Sequence, residues 1–231
     1  MFKNIKHIFF DLDHTLWDFD LNSKLAYQQI FQEHDVKLDL DAFIKVYEPL
    51  NLDFWRKFRE NLITKEELRY QRLKTAFDAC NYPPLEDKQI DLFADLYIQY
   101  LPNNNHLFPG CIDLLNSLKG KFEMHLITNG FNGVQQNKID KAGLKDYFNI
   151  VLTAEAAGYK KPAPQIFHQA IEMAGASIEN SLMIGDSYAA DILGAQQVGI
   201  KTIWFHTTNQ PIPKNEIVVH DLLSIQPLLG L

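Results

Sequence analysis

Hydrophobic runs of strand length recur along the chain, and segments of helical periodicity separate most of them. Several runs are almost continuously hydrophobic, which is typical of strands buried on both faces of a sheet. Strands that alternate with helices predict a parallel sheet covered by helices on both sides, so the pattern indicates an α/β core. Strands are predicted at 7–11, 122–128, 148–153, 181–186, 200–205 and 216–219, and core helices at 112–119, 132–141, 163–175 and 189–198.

One long segment departs from this alternation and consists of helical patterns without a convincing strand. Thr64-Lys-Glu-Glu67 is a capping box, in which each of the two side chains accepts a hydrogen bond from the other residue's backbone N–H, so it predicts the start of a helix. Pro83 and Pro84 end that helix, because proline cannot continue it. The sequence therefore predicts a core of residues 1–17 and 106–231 and an inserted helical domain of residues 18–105, with helices near 20–34, 41–60, 64–80 and 87–100.

Composition narrows the class of protein. The chain has 231 residues, of which 46% are hydrophobic and 22% charged, as expected of a folded globular protein. Its net charge of −7 repels phosphate backbones and argues against general nucleic-acid binding. Two cysteines, Cys80 and Cys111, cannot build a disulfide framework, and no apolar stretch approaches the roughly 18–20 residues that span a bilayer. We expect a soluble cytoplasmic protein without a membrane partner; the oligomeric state stays open.

The first predicted strand ends in two aspartates, Asp11 and Asp13. Ligands of open parallel sheets bind at the carboxyl edge of the strands, so these carboxylates are candidates for chemistry. A turn rich in aspartate at a strand end is the structural alternative. The position directly after a buried strand favours the functional interpretation.

The second strand ends in Thr128, Asn129 and Gly130, where the following helix begins. Backbone N–H groups at a helix start point outward and bind anions, so this segment is a candidate phosphate site. An ordinary helix cap would use the same residue types. Taken alone, the motif therefore does not decide between the two interpretations.

Lysine and aspartate follow the next two strands. Lys161 precedes Pro162 and a predicted helix, and a lysine held in this way can direct its ammonium group toward the same sheet edge. Asp186 ends the fourth strand, and Asp191 lies at the start of the helix after it. An exposed turn and a helix cap are again the structural alternatives. Carboxylates suit Mg²⁺, while a hydroxyl, amides and an ammonium group suit phosphate, so the four motifs together indicate phosphoryl transfer with an aspartate nucleophile.

Four such motifs, in this order and at strand ends, resemble the haloacid dehalogenase-like (HAD) hydrolase superfamily. The resemblance covers essentially the whole chain, because the helical insertion lies where that family carries a type-1 cap. It implies a Rossmann-like parallel-sheet core with an inserted α-helical cap domain, and Mg²⁺ as the cofactor.

The resemblance also implies a role for each motif residue. Asp11 would attack phosphorus and form an aspartyl-phosphate, and Asp13 would protonate the leaving oxygen and then activate water. Thr128 and Lys161 would hold the phosphoryl oxygens, with Asn129 and Gly130 beside them. The implied metal ligands are the Asp11 carboxylate, the Asp13 backbone carbonyl and the Asp186 carboxylate, while Asp191 would orient the site through water or Lys161.

Asp13 separates branches of the family, because displacing a halide needs no acid for the leaving group. Its presence favours cleavage of a phosphate ester. A closer resemblance is to bacterial nucleotidases that act on pyrimidine nucleoside monophosphates, carried by the stretches around Trp17, Trp55, Ile127–Phe131 and Gly143–Phe148. It implies a small phosphate ester as substrate, with Trp17 and Trp55 as surfaces for a base. A sugar-phosphate phosphatase, a phosphoglucomutase-like enzyme and a non-catalytic binding or regulatory module are the alternatives.

Overall fold

The computed structural model describes residues 2, 4–208 and 211–231. The chain forms two compact units, one of Met1–Asp18 with His106–Leu231 and one of Phe19–Asn105. The first is called the core unit below and the second the helical unit. The sequence placed the first junction one residue earlier and the second at the same position.

A parallel sheet forms the centre of the core unit, and its six strands are β1 (His7–Phe10), β2 (Glu123–Thr128), β3 (Ile150–Thr153), β4 (Ser181–Gly185), β5 (Lys201–Phe205) and β6 (Val218–Val219). Their order in the sheet is β3-β2-β1-β4-β5-β6. All pairings are parallel, as predicted, and β1 lies between β2 and β4. Ile8, Phe9 and Phe10 of β1 are almost completely buried, as expected of a central strand covered on both faces.

Helices follow most strands of the core unit. One hydrophobic cluster joins Phe9 of β1 and Met183 of β4, which are paired in register, to Ile166 and Phe167 of the helix after Lys161. Burial of these side chains fixes that helix against the sheet. Numbered after the four α-helices of the helical unit, the α-helices of the core unit are α5 (Cys111–Leu118), α6 (Asn132–Lys141), α7 (Ala154–Ala157), α8 (Pro164–Met173), α9 (Gly194–Gln197) and α10 (Ile225–Leu228).

Four helices build the helical unit: α1 (Phe19–Glu33), α2 (Leu40–Arg59), α3 (Lys65–Ala79) and α4 (Asp87–Tyr100). The capping box at Thr64 and Glu67 forms as predicted. Packed rings of Tyr27, Phe43 and Tyr97 lie at its centre. The predicted helices are therefore present, with ends within two residues of the prediction.

The segment after β4 differs from the prediction of one continuous helix over 189–198. A π-helix, Tyr188–Leu193, comes first and α9 follows it. In this segment Asp191 Oδ2 accepts a hydrogen bond from the Ser187 backbone N–H at 3.0 Å. Wider turns of this kind are frequent at functional sites, and here the turn carries Asp191. Among the described helices, none has the length and apolar character needed to cross a membrane.

Candidate active site

Three of the predicted site residues lie at neighbouring strand ends. Asp11 follows β1, Thr128 is the last residue of β2, and Asp186 follows β4. The Asp11 backbone N–H donates to Ile184 of β4 at 2.9 Å, so the β1–β4 pairing continues up to the aspartate. The parallel sheet therefore brings these side chains to one edge, as the sequence predicts.

Lys161 is the charged centre of this edge. Its side chain is only 2% exposed, and its Nζ donates to Asp11 Oδ1 at 2.5 Å and to the Ile127 carbonyl at 2.6 Å. Asp191 Oδ1 lies 2.6 Å from the same nitrogen. Burial alone would lower the pKa of Lys161, but the carboxylates of Asp11 and Asp191 outweigh it and raise the pKa to about 12. Lys161 is therefore a fixed positive charge beside Asp11.

Asn129 determines where Lys161 lies. Its side-chain oxygen accepts from the Lys161 backbone N–H at 2.8 Å, and its side-chain nitrogen donates to the Lys161 carbonyl at 2.9 Å. Both ends of the amide are thus used to hold the loop after β3 against the end of β2. In the structure the Asn129 side chain thus positions the lysine, and its role as a substrate ligand stays a prediction.

Asp11, Asp186 and Asp191 form a carboxylate cluster, with one oxygen of each within 4.8 Å of the others. Burial, followed by repulsion from Asp191, raises the pKa of Asp186 to about 8, although Lys161 opposes the shift. Burial also raises the pKa of Asp11 well above its usual range; Lys161 again opposes this, while Asp191 and Asp186 add to it. These three carboxyl groups share one ammonium neighbour, so their ionised forms carry excess negative charge.

A hard divalent cation fits this cluster. All of the donors are carboxylate oxygens, the type that Mg²⁺ and Ca²⁺ prefer, and a 2+ ion would balance the excess charge. Within this cluster Asp191 Oδ1 is ion-paired with the Lys161 ammonium at 2.6 Å. The metal set proposed from the sequence shares Asp11 and Asp186 with this cluster. The Asp13 carboxylate is not part of this cluster and binds Lys138 and Gln135 instead, and the role of its backbone carbonyl at the metal stays a prediction.

Two further contacts hold Asp186. Its Oδ1 accepts from the Thr15 hydroxyl at 3.1 Å, and its backbone carbonyl accepts from the indole Nε1 of Trp204 at 2.7 Å. Thr15 is completely buried, so the motif that carries Asp11 also orients the aspartate of the fourth strand. The sequence analysis assigned no role to either contact residue.

Asp13 makes its own set of contacts. Lys138 of α6 donates to its Oδ1 at 2.6 Å, and Gln135 of the same helix donates to its Oδ2 at 3.0 Å. Gln135 also donates to the Thr128 hydroxyl oxygen at 2.6 Å. The sequence analysis missed both α6 residues. Their spacing of three, which places them on one helix face, is the signal that could have indicated them.

Thr128 and Gly130 have separate functions here. The Thr128 hydroxyl oxygen accepts from the Gly130 N–H at 3.1 Å and from Gln135 at 2.6 Å, so its own O–H is left to donate to a ligand. A Cβ at position 130 would lie 2.3 Å from the Gln135 Nε2. Glycine is therefore needed at this position to make room for Gln135.

The two tryptophans suggested as base surfaces differ in exposure. Trp17 is 0% exposed, and the Lys138 ammonium lies 4.2 Å from its ring centroid. The ring offers no open face in this structure, so a base could stack on it only after neighbouring side chains move. Trp55, on α2 of the helical unit, is half-buried and packs edge-on against Phe58.

Comparison with known proteins agrees with this geometry. The chain is 35% identical to the pyrimidine 5′-nucleotidase PynA of Streptococcus pneumoniae, over 97% of this chain and 93% of that protein. It is 31% identical to the pyrimidine 5′-nucleotidase YjjG of Escherichia coli, over 90% of this chain and 88% of that protein.

A solved structure, that of the HAD-hydrolase YfnB of Bacillus subtilis bound to magnesium, superposes on the chain with a TM-score of 0.88. The two proteins are 27% identical, and the match covers 99% of this chain and 100% of the other. The family model of haloacid dehalogenase-like hydrolases matches residues 5–199, which include all four strand-end motifs. The chain is therefore an enzyme that belongs to the haloacid dehalogenase-like hydrolase family.

Proposed function

We propose that this enzyme hydrolyses phosphate monoesters through an aspartyl-phosphate on Asp11, requires Mg²⁺, and acts on pyrimidine nucleoside 5′-monophosphates. One observation carries the proposal of the chemistry. A buried carboxylate, Asp11, lies at the sheet edge 2.5 Å from the Lys161 ammonium and beside two further carboxylates. This arrangement supplies a nucleophile with a fixed position and neighbouring charge of both signs.

Asp11 acts as the nucleophile. One carboxylate oxygen attacks phosphorus, the bond between phosphorus and the ester oxygen breaks, and the phosphoryl group is transferred to Asp11. Water then attacks the aspartyl-phosphate, which releases phosphate and restores the carboxylate. Burial favours the protonated form of Asp11 and raises its pKa, and the Lys161 ammonium opposes this by favouring the ionised form that attacks phosphorus.

Asp13 moves the protons of both steps. It gives a proton to the departing alkoxide oxygen and later takes one from the attacking water. Its side chain is 23% exposed, which leaves room for a proton donor or acceptor to approach. The Lys138 Nζ lies 2.6 Å from Asp13 Oδ1 and holds the carboxyl group in place.

The phosphoryl oxygens are held by donors at the end of β2. The Thr128 hydroxyl oxygen already accepts from Gly130 and Gln135, so its O–H is available to donate to a phosphoryl oxygen. Lys161 contributes its charge, while its N–H groups mainly hold protein oxygens. The family resemblance implies that Thr128 and Lys161 both hold the phosphoryl oxygens and that Lys161 also screens Asp11.

Asp11, Asp186 and the Asp13 backbone carbonyl would hold Mg²⁺. When bound, the ion neutralises the charge between these carboxylates and the phosphate dianion. Burial, followed by repulsion from Asp191, raises the pKa of Asp186 to about 8, and a bound cation would favour the ionised form of this carboxyl group. Asp191 keeps Lys161 in place rather than serving as a ligand.

The substrate part of the proposal is supported by the nucleotidases that the chain resembles at 35% and 31% identity. Trp55 is its candidate base-stacking residue, because it is the half-buried tryptophan of the helical unit. Stacking is worth about 1–3 kcal/mol per base, or roughly 5–150-fold in affinity. Trp55→Ala should therefore raise KM for a nucleotide and leave hydrolysis of p-nitrophenyl phosphate almost unchanged, with Trp55→Phe as the matched control.

Phosphate release from a substrate panel tests the proposal. UMP, dUMP and dTMP should be hydrolysed faster than AMP, GMP and glucose 6-phosphate, EDTA should abolish the activity, and Mg²⁺ should restore it. Asp11→Asn should reduce turnover to background, and Asp13→Asn should reduce it by about 10²–10⁴-fold while Mg²⁺ binding persists.

The panel also separates the alternatives. Hexose phosphates hydrolysed tenfold faster than nucleotides would refute the nucleotidase part and leave the phosphatase part intact. Dependence on a sugar bisphosphate with little free phosphate would indicate a mutase. Full activity after exhaustive chelation would refute the metal requirement, and no turnover of any ester would leave a binding or regulatory module.

A further inference from the structure

Helix α6 provides two side chains to a single carboxylate. Gln135 and Lys138 are 1% and 2% exposed, and each binds one oxygen of Asp13, at 3.0 Å and 2.6 Å. They are one helical turn apart, so they face the same way. Both oxygens of the Asp13 carboxylate are thus bound by side chains of the same helix.

A buried lysine is costly unless its charge is compensated. Lys138 meets this requirement with Asp13 on one side and the ring of Trp17 on the other, 4.2 Å from the ring centroid. Trp17 in turn belongs to the turn that carries Asp13, because the two residues form a backbone bridge. Lys138 therefore contacts both the Asp13 side chain and the Trp17 ring, and it stabilises the turn that carries these two residues.

Gln135 connects this arrangement to Thr128. Its Nε2 lies 3.0 Å from Asp13 Oδ2 and 2.6 Å from the Thr128 hydroxyl oxygen. The side chain passes over Gly130, where a Cβ would lie 2.3 Å from the same nitrogen. The proton-transferring carboxylate and the hydroxyl proposed to hold phosphate are thereby fixed relative to each other.

We propose that Lys138 is a positioning residue that, with Gln135, holds the Asp13 carboxylate in the rotamer needed for proton transfer. The inference rests on the proposed function, since it assumes that Asp13 transfers protons. Lys138 itself touches no reacting atom. Its effect on turnover should therefore pass entirely through Asp13.

Kinetics of Lys138→Met, Lys138→Arg and Lys141→Met test this. Lys141 lies on the same helix and is exposed, so its variant makes the same charge change without touching Asp13. We expect Lys138→Met to lower kcat about 10–100-fold with KM almost unchanged, because small misplacements of a proton-transfer group cost this much. Lys138→Arg should recover part of the loss, and Lys141→Met should behave as wild type.

A double-mutant cycle with Asp13→Asn gives the sharper result. If Lys138 acts through Asp13, Lys138→Met should cost nothing further in the Asp13→Asn background. Equal losses in both backgrounds, or an unchanged kcat in the single variant, would overturn the proposal.

Crystal structures of wild type and Lys138→Met keep the test independent of turnover. A displaced Asp13 carboxylate in the variant supports the positioning role, and an unchanged rotamer overturns it, even if wild type hydrolyses no ester of the panel. If wild type hydrolyses no ester, the proposed function fails, whatever the position of the Asp13 carboxylate in the variant. The two failures are therefore distinguishable.

Discussion

Gly185→Ala tests how closely Asp191 is built into the site. Gly185 is the last residue of β4, and a Cβ there would lie 2.3 Å from Asp191 Oδ2 and 2.6 Å from the Asp191 Cβ. No real Cβ makes such contacts, so the aspartate must move. Displacement would strain its hydrogen bond from Ser187 and its contact with Lys161.

The magnitude follows from these contacts. Overpacking a well-packed site costs about 1–3 kcal/mol, and the strand backbone at Gly185 needs no positive φ that would add strain. Losing one partner of a buried ion pair adds to this, although Lys161 keeps Asp11 as its second carboxylate. We expect the clash in Gly185→Ala by itself to lower the free energy of unfolding by about 1–3 kcal/mol, so this is the minimum loss, and we expect kcat to fall at least tenfold.

Urea unfolding in Mg²⁺-free buffer, followed by tryptophan fluorescence, measures the stability change. Trp17 and Trp204 lie in the core unit and report on it. Gly133→Ala on α6 is the matched control, since a Cβ there meets nothing within 4 Å. It should stabilise the protein by about 0.4–1 kcal/mol, because alanine restricts the unfolded chain.

A second background identifies the cause. In Asp191→Gly both the clashing carboxylate and its Cβ are absent, so alanine at 185 should cost less than about 0.5 kcal/mol in that background, within the error of additive sites. The same cost in both backgrounds would show that the strand, rather than Asp191, requires the glycine. Wild-type stability and activity of Gly185→Ala would refute the reasoning altogether.

Three further outcomes are expected. Burial lowers the pKa of His125 to about 4, so between pH 6.5 and 4 the unfolded chain binds a proton that the folded state does not. The free energy of unfolding should therefore fall as the pH drops through this range, by at most about 1.4 kcal/mol per pH unit, and His125→Phe should flatten this part of a stability profile measured by urea unfolding. Thr64→Ala removes the capping box of α3 and should cost about 0.5–2 kcal/mol in the helical unit, measured by circular dichroism during urea unfolding, whereas no loss would contradict the cap. Asn51→Leu removes the 2.8 Å partner of the buried Arg72 guanidinium and should cost about 1–3 kcal/mol by the same assay, with a neutral effect contradicting it.

Much of the candidate site is local in origin and could be predicted. Asp11 and Asp186 each follow a buried strand, and parallel strands place such residues at one edge whatever the details of packing. The helices of the inserted unit were predictable for a similar reason, since capping boxes and prolines act within a few residues. Family resemblance added the order of the motifs, and the family assignment is confirmed over residues 5–199.

Other features depend on which face of one element meets which face of another. Lys138 and Asp13 are 125 residues apart in the chain, and their contact exists only because α6 packs with that face toward the end of β1. The hydrogen bond between the Asn129 side chain and the Lys161 backbone, and the complete burial of Trp17, likewise depend on how separate elements pack. Periodicity shows that a helix has a buried face, but it does not show what lies opposite.

The sequence by itself thus determined the strands, the helices, the inserted unit and the set of residues at the sheet edge. It did so because hydrophobic spacing and turn chemistry are short-range. The tertiary structure alone decided the strand order, the hydrogen bonds of the Asn129 side chain to the Lys161 backbone, and the contacts of Gln135 and Lys138 with the Asp13 carboxylate. Those depend on side-chain direction across long separations in the chain, which only the packing of helices on the sheet fixes.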